Sequence, residues 1–551
     1  MHLGEIFLLL AGSLAVTAFA RWRGWSAPLL VMGAAFVVSV IPGVPDIAVD
    51  GELVLSLVLP PLLYSAALDV TYLNFRKSFR QIRRLGIWLP VVTAAGVGLV
   101  VWLIAPELGL PVALLIGAIV SPSDAVSAAA VGRRLGLPRR VMTVLSGESL
   151  INDATALTMF KMFGAIAVGA TVTWTGGVVD FLVAVTVGVG LGLLIGWLVT
   201  IVRRRLDDAV VLGTLGLLVP YLAYALAERF GGSGVLAVVT AGILIGFQAP
   251  TTSYATRQQE RPLWQSIDVL LEGTVFALIG LQLPTAIADA AGSPIGLERT
   301  LLLAASVLVA VVLVRVVWVF GGYGFSRVVG RRVAAWAHAH GHRYRPEPRL
   351  ARRELFVIAW AGMRGVVTLA TAAATPLAHD SPATGTVFLV AFTVAVGTLL
   401  AQGLSLPVLI TRLGVGNTAE HEQDRRDIRR VLSRSAEAGA SYVEQQHAAW
   451  RERYGPEIAD PIFERFTARI RRDEQRAAEY EAVDEHAAER HEDFAELMRE
   501  WIGARRRIVL EERDAGRLNE EVMRELMYAL DAEELAFDRQ TAVRTDSRRG
   551  R

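Results

Sequence analysis

The sequence predicts an all-α polytopic membrane protein with a helical cytoplasmic tail, and three observations support this fold class. The chain of 551 residues is 53% hydrophobic and has a mean hydropathy of +0.43, which exceeds that of an ordinary soluble protein. Charged side chains are unevenly distributed. Residues 1–416 contain 51 of them, and the much shorter segment 417–551 contains 57. The apolar stretches are long and continuous, whereas strands of a membrane β-barrel would alternate at every second residue.

This charge distribution divides the chain into two predicted domains. Residues 1–416 form a transmembrane domain with a net charge of +9, and residues 417–551 form a helical cytoplasmic domain with a net charge of −7. A solvated helical bundle is one interpretation of the second domain, and a regulatory or dimer-stabilising domain is the other. The chain has no cysteine, which excludes a disulfide scaffold and any cysteine-based metal or redox site.

The transmembrane domain contains about 13 apolar stretches that are predicted to cross the bilayer as helices. About 20 helical residues span the hydrocarbon core, at 1.5 Å per residue. The predicted spans are residues 4–20, 27–41, 52–70, 85–104, 111–131, 141–165, 178–202, 208–227, 234–248, 265–284, 300–322, 353–376 and 386–411.

Basic residues in the connecting loops predict the orientation of these spans. Alternate loops contain 24 arginine and lysine residues, and the intervening loops contain only Arg229 and Arg299. Cytoplasmic loops of membrane proteins are enriched in basic residues, so the basic loops are predicted to be cytoplasmic. The amino terminus is then outside and residues 417–551 are inside, in a multi-pass protein of the plasma membrane.

Charged side chains within spans are candidates for function, because an unpaired charge at the bilayer centre costs about 2.5–3.5 kcal/mol. Asp153 lies about 12 residues into its span, and therefore at a depth of roughly 18 Å. Asp124 and Arg364 lie at a similar depth, so these three residues are predicted to meet near the midplane. The ionisable residues singled out within spans are Asp124, Glu148, Asp153, Lys161, Glu272, Arg315 and Arg364.

Two of these residues accompany predicted interruptions of a helix. Pro122 precedes Asp124 in the fifth span, and Gly362 and Gly365 flank Arg364 in the twelfth. Interrupted helices in hydrocarbon are tolerated where they line a cavity, and a pair of them in the two halves indicates a transporter's binding site. The two spans run in opposite directions, as inverted repeats with two broken crossing helices require. The alternative is that proline and glycine only kink packed helices.

The sixth span presents two polar faces. Ser149 and Asp153 are four residues apart and share one face, whereas Glu148 and Asn152 share another, about 100° away. The first face offers a hydroxyl and a carboxylate to an ion. The second offers a carboxylate to a partner cation.

Five segments occur in the order Leu59–Tyr64, Ser121–Val126, Gly147–Asp153, Ala277–Leu283 and Gly362–Gly365. Together they resemble the motifs of the monovalent cation/proton antiporters, in the branch of sodium–proton exchangers and NhaP-type bacterial proteins. The resemblance extends over most of residues 1–412, and it is specific because all five motifs appear in sequence.

The resemblance implies a role for each matching residue. Asp153 would be the carboxylate that binds either the proton or the monovalent cation, as the metal ligand. Ser149, Asn152 and the interrupted backbone near Ser123 would complete the cation- and proton-binding group, and Asp124 would support the unwound crossing.

Glu148 and Arg364 would form a structural ion pair that holds the helices of the site together. Ser65 stands where many relatives have a carboxylate, and Asp69, one turn further on, is a candidate to compensate. Glu272 in the tenth span is a further accessory candidate. Because Ser65 departs from the family's pattern, the ion preference stays open.

The resemblance therefore implies a secondary active transporter, and not an enzyme, that exchanges Na⁺ for H⁺. Burial disfavours the charged form of an aspartate, so a proton competes with the cation for Asp153. Relatives with two adjacent aspartates are electrogenic, whereas Asn152 carries no titratable charge. One proton per cation, and hence electroneutral exchange, is the expected stoichiometry.

Two alternatives stay open at this point. Potassium–proton exchange, or mixed exchange of Na⁺, K⁺ and Li⁺, would use the same fold, whereas a cation channel would use the midplane interruptions as a pore. A membrane enzyme is disfavoured because the sequence shows no Walker loop, metal-binding helix or nucleophile elbow. The expected partners are a monovalent cation, H⁺ and membrane lipid, and the resemblance implies a homodimer and a role in pH homeostasis. No cofactor and no nucleic acid are expected.

Overall fold

The computed structural model shows an all-helical protein, and its described residues contain no β-strand. The structure describes residues 3–41, 51–170, 174–206, 208–249, 252, 254–293, 295–340, 350–377, 383–416, 418–479, 500–512, 515, 523, 526, 527 and 529–535. The chain separates into two compact units, Met1–Val415 and Gly416–Arg551.

The first unit is built from helices of very different lengths. Its helices are α1 (Leu3–Arg23), α2 (Ala27–Ser39), α3 (Gly51–Leu57), α4 (Leu59–Leu68), α5 (Tyr72–Arg83), α6 (Leu89–Ile104), α7 (Gly109–Ile119), α8 (Ala125–Arg134), α9 (Arg139–Ala167), α10 (Trp174–Arg205), α11 (Ala209–Arg229), α12 (Gly234–Gln248), α13 (Tyr254–Gly292), α14 (Leu297–Ala339), α15 (Arg352–Trp360), α16 (Val366–Ala373), α17 (Thr384–Thr398) and α18 (Leu404–Leu413). A π-helical turn joins α5 to α6, and another joins α17 to α18.

Each predicted span falls on one of these helices or on two consecutive ones. Among the described residues, six helical segments are long and apolar enough to cross a membrane, and four more are shorter apolar helices. An α-helix satisfies its own backbone hydrogen bonds, which is why apolar stretches adopt this form in hydrocarbon. The total of 13 crossings stays a prediction.

Helix α5 differs from the prediction, because the sequence pattern indicates only a basic loop in this segment. Its residues Ser78, Gln81 and Ile82 are buried, whereas Arg76 and Arg80 are exposed. This is the pattern of an amphipathic helix, and α5 packs with its buried face against α9. A search for continuous apolar runs does not detect a helix that is apolar on one face only.

The helices of the first unit pack in two groups. In one group α12 packs against α4, α10 and α11, and α13 packs against α1 and α2. In the other group α7 packs against α6 and α9, and α14 packs against α6 and α17. Glycines bring some of these backbones close together: a Cβ at Gly188, Gly192 or Gly196 of α10 would meet atoms of α12.

Both predicted interruptions are present, and they lie against each other. Helix α7 ends at Ile119 before α8 begins at Ala125, and α15 ends at Trp360 before α16 begins at Val366. The Asp124 amide donates a hydrogen bond of 2.7 Å to the Met363 carbonyl, which joins the two non-helical segments. An inverted-repeat relation between these helix pairs stays a prediction.

The second unit contains α19 (Thr418–Tyr454) and α20 (Pro456–Glu479), and residues 500–512 and 529–535 are also helical. Gly455 has a φ of 80° at the turn between α19 and α20, where glycine is favoured because it has no Cβ. The two helices are held together by a contact between His447 Nε2 and Asp460 Oδ1 at 2.7 Å. The Trp450 and Phe463 rings also pack, with centroids 5.7 Å apart.

Candidate functional site

A cavity of about 530 Å³ lies between the two groups of helices in the first unit. One wall is formed by α4 and α13, and the opposite wall by α8, α9 and the two interrupted segments. Its charged and hydroxyl lining residues are Arg21, Ser65, Asp69, Asp124, Arg133, Ser146, Ser149, Asp153, Asp268, Glu272 and Thr368. Arg21, Asp69 and Arg133 are exposed, so the cavity opens toward the face that carries the basic loops.

Asp153 lies in the middle of α9 and faces this cavity, although only 5% of the residue is exposed. Within the described part of the chain, its carboxylate accepts no hydrogen bond and forms no ion pair. Asp124, which lines the same cavity, is also an acid and not a cation. An isolated buried carboxylate is unfavourable as an anion, so a bound cation or a proton would stabilise it.

Ser149 lies one turn before Asp153 and lines the same cavity. Asp124 lines it from the neighbouring segment of the same wall, at the point where the fifth predicted span is interrupted. The structure thus brings together three of the predicted site residues, one hydroxyl and two carboxylates, around one space.

The crossing of the interrupted helices is electrostatically balanced. Arg364 is buried, and its Nε donates to the Val120 carbonyl at 2.9 Å while its Nη1 donates to the Gly362 carbonyl. These carbonyls lie at the carboxyl ends of α7 and α15, where the helix dipole is negative. The Asp124 carboxylate lies beside Gly365, at the amino ends of α8 and α16, where the helix dipole is positive.

The prediction that Glu148 pairs with Arg364 is wrong, because Glu148 pairs with a different arginine. Glu148 pairs with Arg315 of α14, whose Nη1 contacts Glu148 Oε1 and whose Nη2 donates to Glu148 Oε2 at 3.0 Å. Arg315 also donates to the Ile358 carbonyl near the end of α15, at 3.0 Å. Arg364 is occupied by the carbonyls of the crossing, so Arg315 takes the position next to Glu148.

Ser123 and Asn152 belong to the Glu148 network and do not line the cavity. The Ser123 hydroxyl donates to Glu148 Oε1 at 2.8 Å, and Asn152 Nδ2 donates to the Ser123 hydroxyl at 2.6 Å. Both residues are almost completely buried. The structure therefore places these two predicted binding residues behind the site, where they hold Glu148 and the interrupted segment in position.

The two glycines around Arg364 provide space for neighbouring side chains. A Cβ at Gly362 would collide with the Arg315 guanidinium, and a Cβ at Gly365 would collide with the Asp124 carboxylate. Neither glycine has a positive φ. Close approach, and not backbone freedom, is the physical reason for glycine at both positions.

The accessory residues lie along the other wall of the cavity. The Ser65 hydroxyl donates a hydrogen bond of 2.6 Å to Asp268 Oδ2. Glu272, one turn further along α13, also lines the cavity. Asp69 lies at the exposed mouth. Sequence reasoning missed Asp268, although its four-residue spacing from Glu272 matches the spacing of Ser149 and Asp153 and would have placed both acids on one helix face.

This geometry suits the reversible binding of one small cation. The cavity contains carboxylate and hydroxyl oxygens, which are the ligands that hard cations prefer. It also places a buried acid in a cavity between the two helix groups, so a relative movement of the groups would change access to that acid.

Comparison with known proteins identifies relatives of most of the chain. Residues 6–412 match the profile of a family described as "Sodium/hydrogen exchanger, transmembrane". An uncharacterized Na⁺/H⁺ exchanger of Mycobacterium bovis is 31% identical over 92% of this chain and 91% of its own length. The Na⁺/H⁺ antiporter ApNhaP of Aphanothece halophytica is 29% identical over 76% of each chain.

A solved structure shows the same fold. The sodium proton antiporter MjNhaP1 of Methanocaldococcus jannaschii superposes with a TM-score of 0.58 and 17% sequence identity. The match covers 74% of this chain and 98% of the antiporter chain.

Proposed function

The chain belongs to the sodium/hydrogen exchanger family, and from this premise we propose that it exchanges Na⁺ for H⁺ by competition at Asp153. It is a multi-pass membrane transporter, and the family's activity is antiport and not enzymatic catalysis. One observation carries the finer proposal: Asp153 is a buried carboxylate that faces a cavity between two helix groups and forms no ion pair with any residue that the structure describes.

The proposed cation ligands are the oxygens that share the cavity. The Asp153 carboxylate supplies the charge, and the Ser149 hydroxyl and the Asp124 carboxylate lie around the same space. Ser123 and Asn152 act indirectly, because their hydrogen bonds fix Glu148 and the interrupted segment.

Competition at Asp153 couples the two fluxes. The buried acid is stabilised by a proton or by a cation, and it is unfavourable as an empty anion during a change of access. The helix groups therefore move in one direction with the cation bound to Asp153, and in the opposite direction with the proton bound. Alternating access of this kind is typical of transporters with interrupted helices at the binding site.

The proposed exchange is electroneutral, with one proton for each cation. Asn152 precedes Asp153 and carries no titratable charge, and its amide is engaged with Ser123. A potential-sensitive dye in the same vesicles used for exchange checks the stoichiometry. We expect no Na⁺-dependent change in its signal, and a potential generated by transport would contradict the one-to-one ratio.

Vesicle exchange tests the proposed function directly. Na⁺, K⁺ and Li⁺ are compared by dequenching of a pH-sensitive dye, with wild type beside Asp153→Asn and with Asp289→Asn as the control. Asp289 lies on α13 but is exposed and outside the cavity. We expect Na⁺-dependent proton flux in wild type and control and none in Asp153→Asn. A larger response to K⁺ would assign potassium–proton exchange instead.

The cellular setting is part of the same proposal. We propose that the protein lies in the plasma membrane with its amino terminus outside and residues 417–551 in the cytoplasm, because basic loops are expected on the cytoplasmic side. The cavity, which opens toward the basic-loop face, is then exposed to the cytoplasm. A homodimer and a role in pH homeostasis complete the proposal, and analytical ultracentrifugation in detergent tests the dimer.

A further inference from the structure

One face of α13 carries polar and aromatic side chains at every fourth residue. Glu260, Trp264, Asp268 and Glu272 follow at this interval and therefore share a face of the helix. Glu260 pairs with Arg203 at 2.5 Å, and Trp264 packs on the Tyr64 ring with centroids 5.1 Å apart. Asp268 and Glu272 are the two members that line the cavity.

Only one carboxylate oxygen of Asp268 accepts a hydrogen bond from a residue that the structure describes. Its Oδ2 accepts the hydrogen bond from the Ser65 hydroxyl at 2.6 Å, whereas its Oδ1 is buried and has no hydrogen-bond partner among the described residues. The Ser65 contact fixes the rotation of the carboxylate. The second oxygen is then left for a ligand or water in the cavity that Asp153 also faces.

Asp268 lines the same cavity as Asp153, and it lies nearer than Glu272 to the basic-loop end of α13, toward which the cavity opens. Asp69 is exposed at the mouth, and Glu272 lies about 6 Å further along the α13 axis than Asp268 at 1.5 Å per residue. The nearest ion pair on this face, Glu260 with Arg203, is two helical turns away and is already neutralised. The cavity is lined by five acidic and two basic side chains, and an excess of negative charge in a cleft attracts cations.

We propose that Asp268 is a cation-attracting residue of the transport pathway, and that Ser65 is the residue that positions it. This inference deepens the proposed function and rests on it. Asp268 holds the incoming cation on its way to Asp153, so it sets the affinity for the cation, while Asp153 performs the exchange with the proton. The serine at position 65 therefore contributes to the site through the carboxylate that it holds.

The test is the dependence of exchange rate on Na⁺ concentration in inverted membrane vesicles, where the cavity face is accessible. Asp268→Asn removes the charge and keeps an oxygen for the Ser65 hydroxyl. We expect KM for Na⁺ to rise about five- to thirtyfold, as the loss of a unit charge near the path predicts, with the maximal rate within about twofold of wild type. Asp289→Asn, on the same helix but outside the cavity, is expected to keep the wild-type KM.

Two further variants separate charge from structural support. Ser65→Ala keeps the charge but frees the carboxylate, so we expect a smaller rise in KM. The double variant Ser65→Asp with Asp268→Ser swaps the two side chains and keeps a carboxylate at the same contact. It is expected to restore KM to within about threefold of wild type. A residue that only supported the fold would lower the maximal rate or the yield, and the exchange of side chains would not restore KM.

A KM for Asp268→Asn within about twofold of wild type would overturn the proposal, as would a raised KM that the exchanged pair does not restore. Either result would leave the proposed function intact, because wild-type exchange and its loss in Asp153→Asn do not depend on Asp268. The reverse outcome is also distinguishable, since failure of the proposed function removes Na⁺-dependent flux from wild type itself.

Discussion

At the scale of single residues, the buried charges of the first unit fall into two classes. Glu148, Arg315 and Arg364 are almost completely buried, and each is satisfied by an ion pair or by backbone carbonyls. Asp153 is equally inaccessible but has no such partner in the described part of the chain. The first class holds the helices together, and the second is available to a ligand.

This division predicts that Glu148→Gln destabilises the protein. The substitution leaves the Arg315 guanidinium buried without a countercharge, and breaking a buried pair in this way costs about 3–5 kcal/mol. Thermal unfolding of the purified protein in detergent measures the loss. Glu107→Gln is the matched control, because Glu107 pairs with Arg299 at 2.9 Å where both side chains are half exposed. Equal melting temperatures of the two variants would contradict the role assigned to Glu148.

Residue pairings are the part of the site that the sequence leaves undetermined. Depth within the spans predicts that Asp124, Asp153 and Arg364 meet, and Asp124 does contact the segment that carries Arg364. Depth does not distinguish Arg315 from Arg364 as the partner of Glu148, because both arginines lie within predicted spans. The spacing from Glu272 indicates Asp268, but the sequence does not reveal its hydrogen bond with Ser65, which lies 203 positions away.

At the scale of elements, the interrupted helices depend on the absence of side chains at their crossing. Gly365→Ala would place a Cβ against the Asp124 carboxylate, whose backbone is fixed by its bond to Met363. We expect the crossing to shift and the exchange rate to fall about tenfold or more, since small displacements of reacting groups are costly. Gly321→Ala in α14 is the control, because a Cβ there meets nothing within 4 Å. Wild-type exchange by Gly365→Ala would show that the close approach is dispensable.

The α10–α12 contact offers a second test at this scale. Gly192 is buried against the Ala237 backbone, whereas Gly190 on the same helix has open space around it. Gly192→Leu is expected to lower stability by about 1–3 kcal/mol through overpacking, and Gly190→Leu to have little effect. Heat treatment followed by size-exclusion chromatography compares the two. If both variants melted alike, close packing of α10 on α12 would not contribute to stability.

The helices are more predictable than the side-chain pairings, because the length of an apolar helix follows from consecutive residues of the sequence. The proline at position 122 and the glycines at 362 and 365 mark the two interruptions, and the helices end within a few residues of them. The boundaries of α13 and α14 extend well beyond the apolar stretches, because helices continue past the hydrocarbon into polar sequence. Apolar length alone does not reveal such extensions, or the amphipathic helix α5.

At the scale of the whole molecule, the predicted site residues lie in the first unit, and the second unit forms its own contacts. The family match also ends at residue 412. Removal of residues 417–551 is therefore expected to leave Na⁺-dependent exchange in place. If the charged tail is regulatory, the pH profile of the truncated protein will be shifted relative to that of the full chain. Superimposable profiles would leave the tail without a regulatory role.

In this proposal the buried Asp153 carboxylate binds either a proton or a cation. The release of protons on Na⁺ binding tests this competition most directly. Purified protein in weakly buffered detergent solution is titrated with NaCl while a pH indicator records released protons, with choline chloride as the ionic-strength control. We predict saturable release of about one proton per bound Na⁺ in wild type, and none in Asp153→Asn. Na⁺ binding without proton release, or equal release by Asp153→Asn, would contradict the account.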